Sequence, residues 1–424
     1  MSREVKINLE HVSRIEGRGN IVMDSKNGKI QSIKWQVPEA PRFFEKLLTG
    51  RDYQDISHIA SRICGICSIA HSLASLKASE NAMGVVISDQ TILLRKLALH
   101  AENIQSHILH VGYLAAPDLF GVGSIFPLIK TNRNAVTDII KLHRLANEMS
   151  ELICGRTTHP ITLKVGGFTK VPAEEGLISL EEKLNNSFDI FRDVSKTILA
   201  NIDKLPNFER ETEYIGLVSD KEYALYDGMI GSTDTGMHDI DEYLSITNEF
   251  VVPHSTAKYT EHMRESYMVG ALARFNLNNS RIKQKGKEVA ENFGLESPCF
   301  NPFMNNVAQL VEVAHCLEDS IYIINRLIDR GLHDERVQVE VSAGRGIGAV
   351  EAPRGILFHD YVIDEDGKCI KANCIIPTNQ NHANIQKDME AFAPTLLHKS
   401  RDEIEHNLEM LVRAYDPCIS CSTH

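Results

Sequence analysis

The sequence predicts an α+β protein, a mostly helical core with sheet regions at its N-terminal and C-terminal ends. Three observations carry this reading. Residues 5–37 alternate apolar and polar side chains on either side of an Asn-Gly turn, the period-two pattern of a half-buried sheet. Residues 90–114 and 305–331 repeat apolar side chains at helical spacing over many turns. A predicted strand ahead of Gly344 opens the C-terminal sheet region.

In order, Lys26-Asn27-Gly28 forms the hairpin turn before Lys29-Ile30 and Ile33-Lys34-Trp35, since Asn-Gly accepts the left-handed backbone a tight hairpin needs. Pro38 to Arg51 reads as a turn and a short helix with Phe43, Phe44, Leu47 and Leu48 apolar. A helix follows Cys67 to about Ala82. The next, Gln90 to about Leu114, sets Leu93, Leu94, Leu97, Ile104, Ile108 and Val111 on one side. It also carries His100, His107 and His110, whose spacing and core position argue against a separate metal site. Residues 128–156 and 178–205 read as helices flanking a buried turn at Val165-Gly166-Gly167-Phe168. The segment 207–280 is irregular, with strands predicted at Tyr214 to Val218 and Met268 to Leu272. Helices return at 283–297, at 305–331 and finally at 384–413. No repeat, low-complexity tract or linker divides the chain, so the subdivisions 1–60, 61–205, 206–280 and 281–424 are soft parts of one unit.

Composition narrows the function classes. At 424 residues the chain can bury a large core, and 43% hydrophobic with 24% charged residues is ordinary for a globular protein. A formal charge of −12 argues against a nucleic-acid partner, whose phosphates want a basic face. No apolar run approaches the ~20 residues that span a bilayer, and the first residues lack the apolar region of a signal peptide. Nine cysteines, an odd number, fit reduced thiols and a cytoplasmic location better than a disulfide framework.

Two C-x-x-C pairs, Cys64/Cys67 and Cys418/Cys421, stand near opposite ends. Each spacing turns two thiolates onto one centre, and four make a soft ligand set for zinc, iron–sulfur or a late first-row metal such as nickel. If both pairs hold one metal, it lies in the core and the chain folds around it. Cys154, Cys299, Cys316, Cys369 and Cys374 are scattered without cluster spacing and read as small core hydrophobes. Gly344-Arg345-Gly346-Ile347-Gly348 falls short of a dinucleotide loop, because its third glycine comes one residue early and no helix follows. By themselves Glu16 reads as part of a charged surface turn, Glu45 as an exposed helix carboxylate and Arg354 as a surface ion pair.

Taken together, these residues resemble a family. Arg62-Ile63-Cys64-Gly65-Ile66-Cys67 and Asp416-Pro417-Cys418-Ile419-Ser420-Cys421-Ser422-Thr423-His424 are similar to the large, catalytic subunit of [NiFe]-hydrogenases. Arg14-Ile15-Glu16-Gly17, Glu351-Ala352-Pro353-Arg354-Gly355 and Cys374-Ile375-Ile376-Pro377-Thr378 resemble further blocks of that family. Ser106, where many members carry aspartate, resembles the cytosolic NAD(P)-linked and sulfur-reducing branch, as do Phe250-Val251-Val252-Pro253-His254-Ser255 and Tyr267-Met268-Val269-Gly270-Ala271. Arg18 departs from the histidine that many members carry there.

The resemblance implies the hydrogenase large-subunit fold, shared with the 49-kDa quinone-site subunit of respiratory complex I. It implies reversible heterolytic cleavage of H2 at a nickel–iron centre. Cys64 and Cys418 would be terminal on nickel, and Cys67 and Cys421 would bridge to an iron carrying carbon monoxide and cyanide. Glu16 would take the proton from Cys418, Arg354 and Asp416 would shape the space above the metals, and Thr378 beside Pro377 would donate to a cyanide. His71 would donate to a bridging sulfur. Glu45, the Cys374 carbonyl and His424 would bind a structural magnesium or iron. Electrons would leave through a small iron–sulfur subunit to flavin, NAD(P) or ferredoxin-linked subunits, or to a heterodisulfide-reductase partner. A chain ending at His424 resembles the mature form, from which a C-terminal extension has been removed. The alternatives are a non-catalytic homologue of the quinone-site subunit, which lacks the four cysteines, and a structural zinc protein, which has no need of Glu16, Arg354 or Thr378.

Overall fold

Asn27 and Gly28 both take left-handed backbone, φ 54° and 72°, and close the expected hairpin. The computed structural model describes residues 4–335 and 337–424. Strands β1 (Val5–Leu9), β2 (Asn20–Lys26) and β3 (Lys29–Gln36) form an antiparallel sheet in that order. Its inner face buries Val5, Ile7, Ile21, Met23, Ile33 and Trp35, as alternation demands.

Four helices follow: α1 (Phe44–Leu48), α2 (Tyr53–Ala60), α3 (Ser68–Met83) and α4 (Asp89–Leu109). Only Phe44 and Leu48 of the four apolar residues at α1 face the core; Phe43 and Leu47 are exposed. The α4 helix starts where Ser88 accepts a hydrogen bond from Thr91 N. It ends earlier than its periodicity suggested, passing into a π-helical turn at His110–Ala115. Pro117 lies just beyond and has no N–H to give the Tyr113 carbonyl. The predicted helix 128–156 is broken at Asn132 (φ −136°), leaving one turn at Leu128–Thr131 and α5 (Arg133–Cys154). After a short hairpin turning on Gly166 and Gly167, α6 spans Glu174–Leu199.

The irregular middle holds a small sheet of β4 (Glu213–Val218), β5 (Met229–Ser232), β6 (Gly236–His238) and β7 (Tyr267–Met268), in the order β7-β4-β5-β6. The strand predicted through Leu272 stops at Met268. Gly270 (φ 114°) turns the chain, and Asn305 Oδ1 accepts from Leu272 N at the start of α7 (Ala271–Asn278). Helices α8 (Gln284–Phe293) and α9 (Asn305–Arg330) follow. Together α4, α5, α6, α8 and α9 pack into the helical core.

The C-terminal sheet is β8 (Gly344–Ala352), β9 (Gly355–Ile363) and β10 (Cys369–Ile375), antiparallel in that order. The glycine-rich segment is itself a strand rather than a loop following one. A Cβ at Gly346 would lie 2.2 Å from the Ala78 carbonyl oxygen, and at Gly348 2.0 Å from that of Ala74. The glycines therefore exist to let β8 lie directly on α3, whose small residues Ala74, Ala78 and Ala82 line the contact. The last predicted helix is two, α10 (Pro377–Leu396) and α11 (Arg401–Ala414), because a capping box between Ser400 and Glu403 starts the second afresh. A single turn, α12 (Ile419–Ser422), ends the fold.

Candidate metal centre

The front pair sits at the mouth of α3. Cys64 is extended after a tight turn at Ser61–Ile63, and Cys67 immediately precedes the helix. Of the rear pair, Cys418 caps α12 and Cys421 lies within it, reached from α11 through Asp416, whose φ of 48° bends the chain inward. Glu16 and Cys418 pair as an isolated parallel bridge, with Ile419 N donating to the Glu16 carbonyl at 3.0 Å. The two ends of the sequence are thus joined at the site by backbone hydrogen bonds.

All four thiols are free, buried and convergent. Cys64 Sγ lies 3.6 Å from Cys418 Sγ, and Cys67 Sγ 3.5 Å from Cys421 Sγ. Metal–sulfur bonds of about 2.3 Å put tetrahedral thiolates ~3.8 Å apart, so these separations suit shared coordination. Cys418 and Cys421 approach to 2.6 Å, beyond the ~2.05 Å of a disulfide. Hydrogen bonds from Cys418 and Cys421 pull the Cys64 thiol well below its ordinary value, whereas burial pushes the Cys421 thiol up.

Glu16 Oε2 lies 3.2 Å from Cys418 Sγ and accepts from Ser420 N at 3.0 Å, while the Ser420 hydroxyl donates to Oε1. Burial, reinforced by the neighbouring Cys418, pushes its carboxyl up to about 7. Arg354, 4% exposed, gives Nε to the Asp416 carbonyl (2.6 Å) and Nη2 to Asp416 Oδ1 (2.8 Å). Thr378 Oγ1 accepts from Cys418 N at 3.1 Å and keeps its own proton to give. Pro377 starts α10, where its missing N–H costs nothing, and the first turn holds Thr378.

His71 points one ring nitrogen, Nδ1, at His359 Nε2 (3.1 Å), while a ring nitrogen also lies within 4.8 Å of the Cys67 and Cys421 sulfurs. Burial holds the ring neutral, with its pKa lowered to about 3. A second group gathers nearby. His424 Nε2 is 3.1 Å from the Cys374 carbonyl oxygen and 3.7 Å from Glu45 Oε1, which accepts from Cys374 N at 2.9 Å. Burial would raise the Glu45 carboxyl, but the neighbouring His424 and the hydrogen bond from Cys374 N outweigh it and hold it low.

Every predicted site residue except Pro377 therefore belongs by contact to one of these two groups. Ser106 is buried but its hydroxyl has no partner among the described residues, and Arg18 is exposed, giving its N–H to Glu39. The three histidines of the predicted 90–114 helix bind core partners: His100 to Ser320, His107 to Glu312, and His110, in the π-helical turn, to Gln309 and the Arg413 carbonyl.

Several participants escaped the sequence reading. Arg42 Nη2 donates to the Ile63 carbonyl (2.6 Å) and to the Ser420 carbonyl, stapling one cysteine loop to the other. Gln309 donates to Asp416 Oδ2 at 3.1 Å. Glu102 accepts from Ile69 N (2.6 Å) and Ala70 N (2.9 Å) at the start of α3, and burial pushes it up to about 8. Asn379 holds the Ser422 carbonyl at 3.2 Å. None stands in a cysteine-like spacing, and the groups they reach lie far from them in sequence.

The donor set fits a thiolate-bound metal carrying small polar ligands. Beside the four sulfurs, Arg354 Nη1, His71 Nε2 and Asn379 Oδ1 are fully buried with no protein partner among the described residues. Buried polar atoms are nearly always satisfied, so three orphans around one thiol cluster mark a place for a bound group.

Comparison with known proteins agrees. The family model described as nickel-dependent hydrogenase matches residues 42–136 and 222–424. The alpha chain of sulfhydrogenase 2 of Pyrococcus furiosus is 33% identical over 99% of this chain and 98% of its own. Its counterpart in the F420-non-reducing hydrogenase vhc of Methanococcus voltae is 32% identical over 99% and 95%. The beta chain of the NAD-reducing hydrogenase HoxS of Cupriavidus necator is 29% identical over 100% and 95%. Among solved structures, an NAD+-reducing [NiFe]-hydrogenase in the H2-reduced state superposes with a TM-score of 0.88 at 26% identity, covering 99% of each chain.

Proposed function

The chain belongs to the nickel-dependent hydrogenase family, and we propose that it is the subunit in which H2 is split reversibly into protons and electrons. The observation that carries this is the meeting of four buried thiols from both ends of the chain with the Glu16 carboxyl 3.2 Å from one of them. Cys64, Cys67, Cys418 and Cys421 would hold a nickel–iron pair, with Cys67 and Cys421 bridging and carbon monoxide and cyanide on the iron. When bound, that pair supplies the two-electron acceptance that lets H2 part with a proton.

The protein's own work is to receive the proton, shape the site and keep it dry. Cys418 Sγ is the first proton acceptor, and Glu16 takes the proton from it. A carboxyl raised to about 7 both accepts and releases near neutrality. Ser420, donating to both Glu16 oxygens, fixes the carboxyl against Cys418. Asp416 orients Arg354 with two hydrogen bonds, which leaves Nη1 for the substrate side. The Thr378 hydroxyl proton would go to a cyanide nitrogen. Glu45, the Cys374 carbonyl and His424 would share a magnesium or iron ion that ties the C-terminus down.

Large subunits of this family work with a small iron–sulfur subunit, which would take the electrons. Flavin, NAD(P) or ferredoxin-linked subunits would lie beyond it, in line with the NAD-reducing relative. No described helix is long and apolar enough to cross a membrane. The free thiols support a cytoplasmic location for the complex. The test is metal analysis and infrared spectroscopy of the chain purified with its partner subunits. One nickel per chain, carbonyl and cyanide stretches and H2-dependent dye reduction are expected. Zinc without those bands would reject the assignment in favour of a structural zinc site.

A further inference from the structure

Behind the thiols a file of polar side chains runs from α3 into the C-terminal sheet. His71 Nδ1 lies 3.1 Å from His359 Nε2, His359 Nδ1 lies 2.5 Å from the Tyr361 hydroxyl, and that hydroxyl lies 3.1 Å from Ser75 Oγ. His71 is 1% exposed and the other three are 0%. At the near end His71 Nε2 is buried without a protein partner, on a ring lying within 4.8 Å of the Cys67 and Cys421 sulfurs.

The hydrogen-bond chemistry gives this file a direction. Two ring nitrogens 3.1 Å apart share one proton, so one donates and the other accepts. If His71 Nδ1 held it, the neutral ring would leave a bare lone pair at Nε2, beside sulfurs that must be thiolates to bind metal. Lone pair against anionic sulfur in a dry site is costly. The opposite order puts the N–H on His71 Nε2, where it can serve a thiolate, and every other link then falls into place. His359 Nε2–H donates to His71 Nδ1, the Tyr361 O–H donates to His359 Nδ1, and the Ser75 O–H donates to the Tyr361 oxygen. No donor in the file is wasted, and each bond polarises the next.

We propose that Tyr361 and His359, with Ser75 behind them, are positioning residues that lock His71 in its Nε2–H form and so set the hydrogen bond it gives the Cys67 and Cys421 sulfurs. The proposal rests on the reading of those two cysteines as the thiolates bridging to iron. A donated N–H draws charge off a thiolate, so losing it makes the metals richer in electrons.

The first measurement needs no variant. Selective 15N-histidine NMR of the full-length chain should show His71 protonated at Nε2; protonation at Nδ1 would overturn the relay. In the holoenzyme with its partner subunits, Tyr361→Phe should move the carbonyl and cyanide stretches to lower wavenumber at unchanged nickel content. His359→Leu should move them further. His359→Gln keeps an amide N–H for His71 and should bring them back towards wild type. Unmoved bands in Tyr361→Phe, or equal shifts in the leucine and glutamine variants, would mean that the file only fills space. Wild-type protein without those bands would sink the nickel–iron reading instead, and the nitrogen spectrum would then decide the relay by itself.

Discussion

Glu16 and Arg42 are both single charged residues beside the cysteines, yet they do different work. Glu16 contributes a carboxyl whose value is set by burial and by Cys418. Replacing it with glutamine keeps the Ser420 contacts but removes the proton acceptor. Turnover of H2 should fall by roughly 10²–10⁴-fold with nickel content unchanged, as dye-reduction assays beside metal analysis would read. Arg42 contributes geometry. Its guanidinium bonds the Ile63 and Ser420 carbonyls, one from each cysteine loop. Arg42→Met should cost on the order of 1.5–3 kcal/mol, the worth of charged hydrogen bonds, and lower the nickel content, giving a reduced melting temperature and sub-stoichiometric metal. Glu16 was legible beside Gly17 once the cysteines were seen. Arg42 was not, because nothing local announces which carbonyls a guanidinium will reach.

At the scale of elements, periodicity did well wherever one face alone is buried. The hairpin at Asn27-Gly28, the start of α4, the long α9 helix and the strand from Tyr214 all stand where the pattern put them. It failed where a cap or a contact overrides the pattern. Ser400 divides one predicted helix into α10 and α11, and Gly270 ends a predicted strand after Met268. The glycines of β8 are the sharpest case. Read locally they suggest a loop; in the fold they are the only side chains that fit against α3. Gly346→Ala, with its new methyl 2.2 Å from the Ala78 carbonyl oxygen, should lose about 1–3 kcal/mol of stability or more. Denaturant unfolding would measure this, and an unchanged midpoint would mean that α3 moves aside freely.

Across the whole molecule, buried histidines tie stability to pH. Trp35 Nε1, in the N-terminal sheet, donates to His382 Nδ1 on α10 at 3.0 Å, so the ring must stay unprotonated at that atom. Burial lowers its pKa from 6.5 to about 3. The unfolded chain therefore takes up a proton on this residue between about pH 6.5 and 3 that the folded chain refuses. The stability tied to this neutral ring is complete above about pH 6.5 and is lost as the pH falls towards 3. Glu102 and Glu351, raised by burial to about 8 and 7, act with the opposite sign, their contribution fading as the pH rises through those values. The test therefore compares variant with wild type at each pH. His382→Gln should lose stability on acidification less steeply, by about one proton, in melting curves from pH 7 to 4. A slope equal to wild type would remove His382 from the account.

The sequence by itself determined the broad architecture and marked four cysteines as candidate ligands. A C-x-x-C spacing, strand alternation and helical periodicity can all be read along the chain, because each is a property of neighbouring residues. Only the tertiary structure decided which groups complete the site. The Arg42 staple, the Gln309–Asp416 contact, the file from His71 to Ser75 through β9, and the seat of β8 on α3 all join residues far apart in the chain. Such contacts depend on where elements come to rest against one another, and a hydrogen bond across that distance leaves no mark in the order of residues on either side.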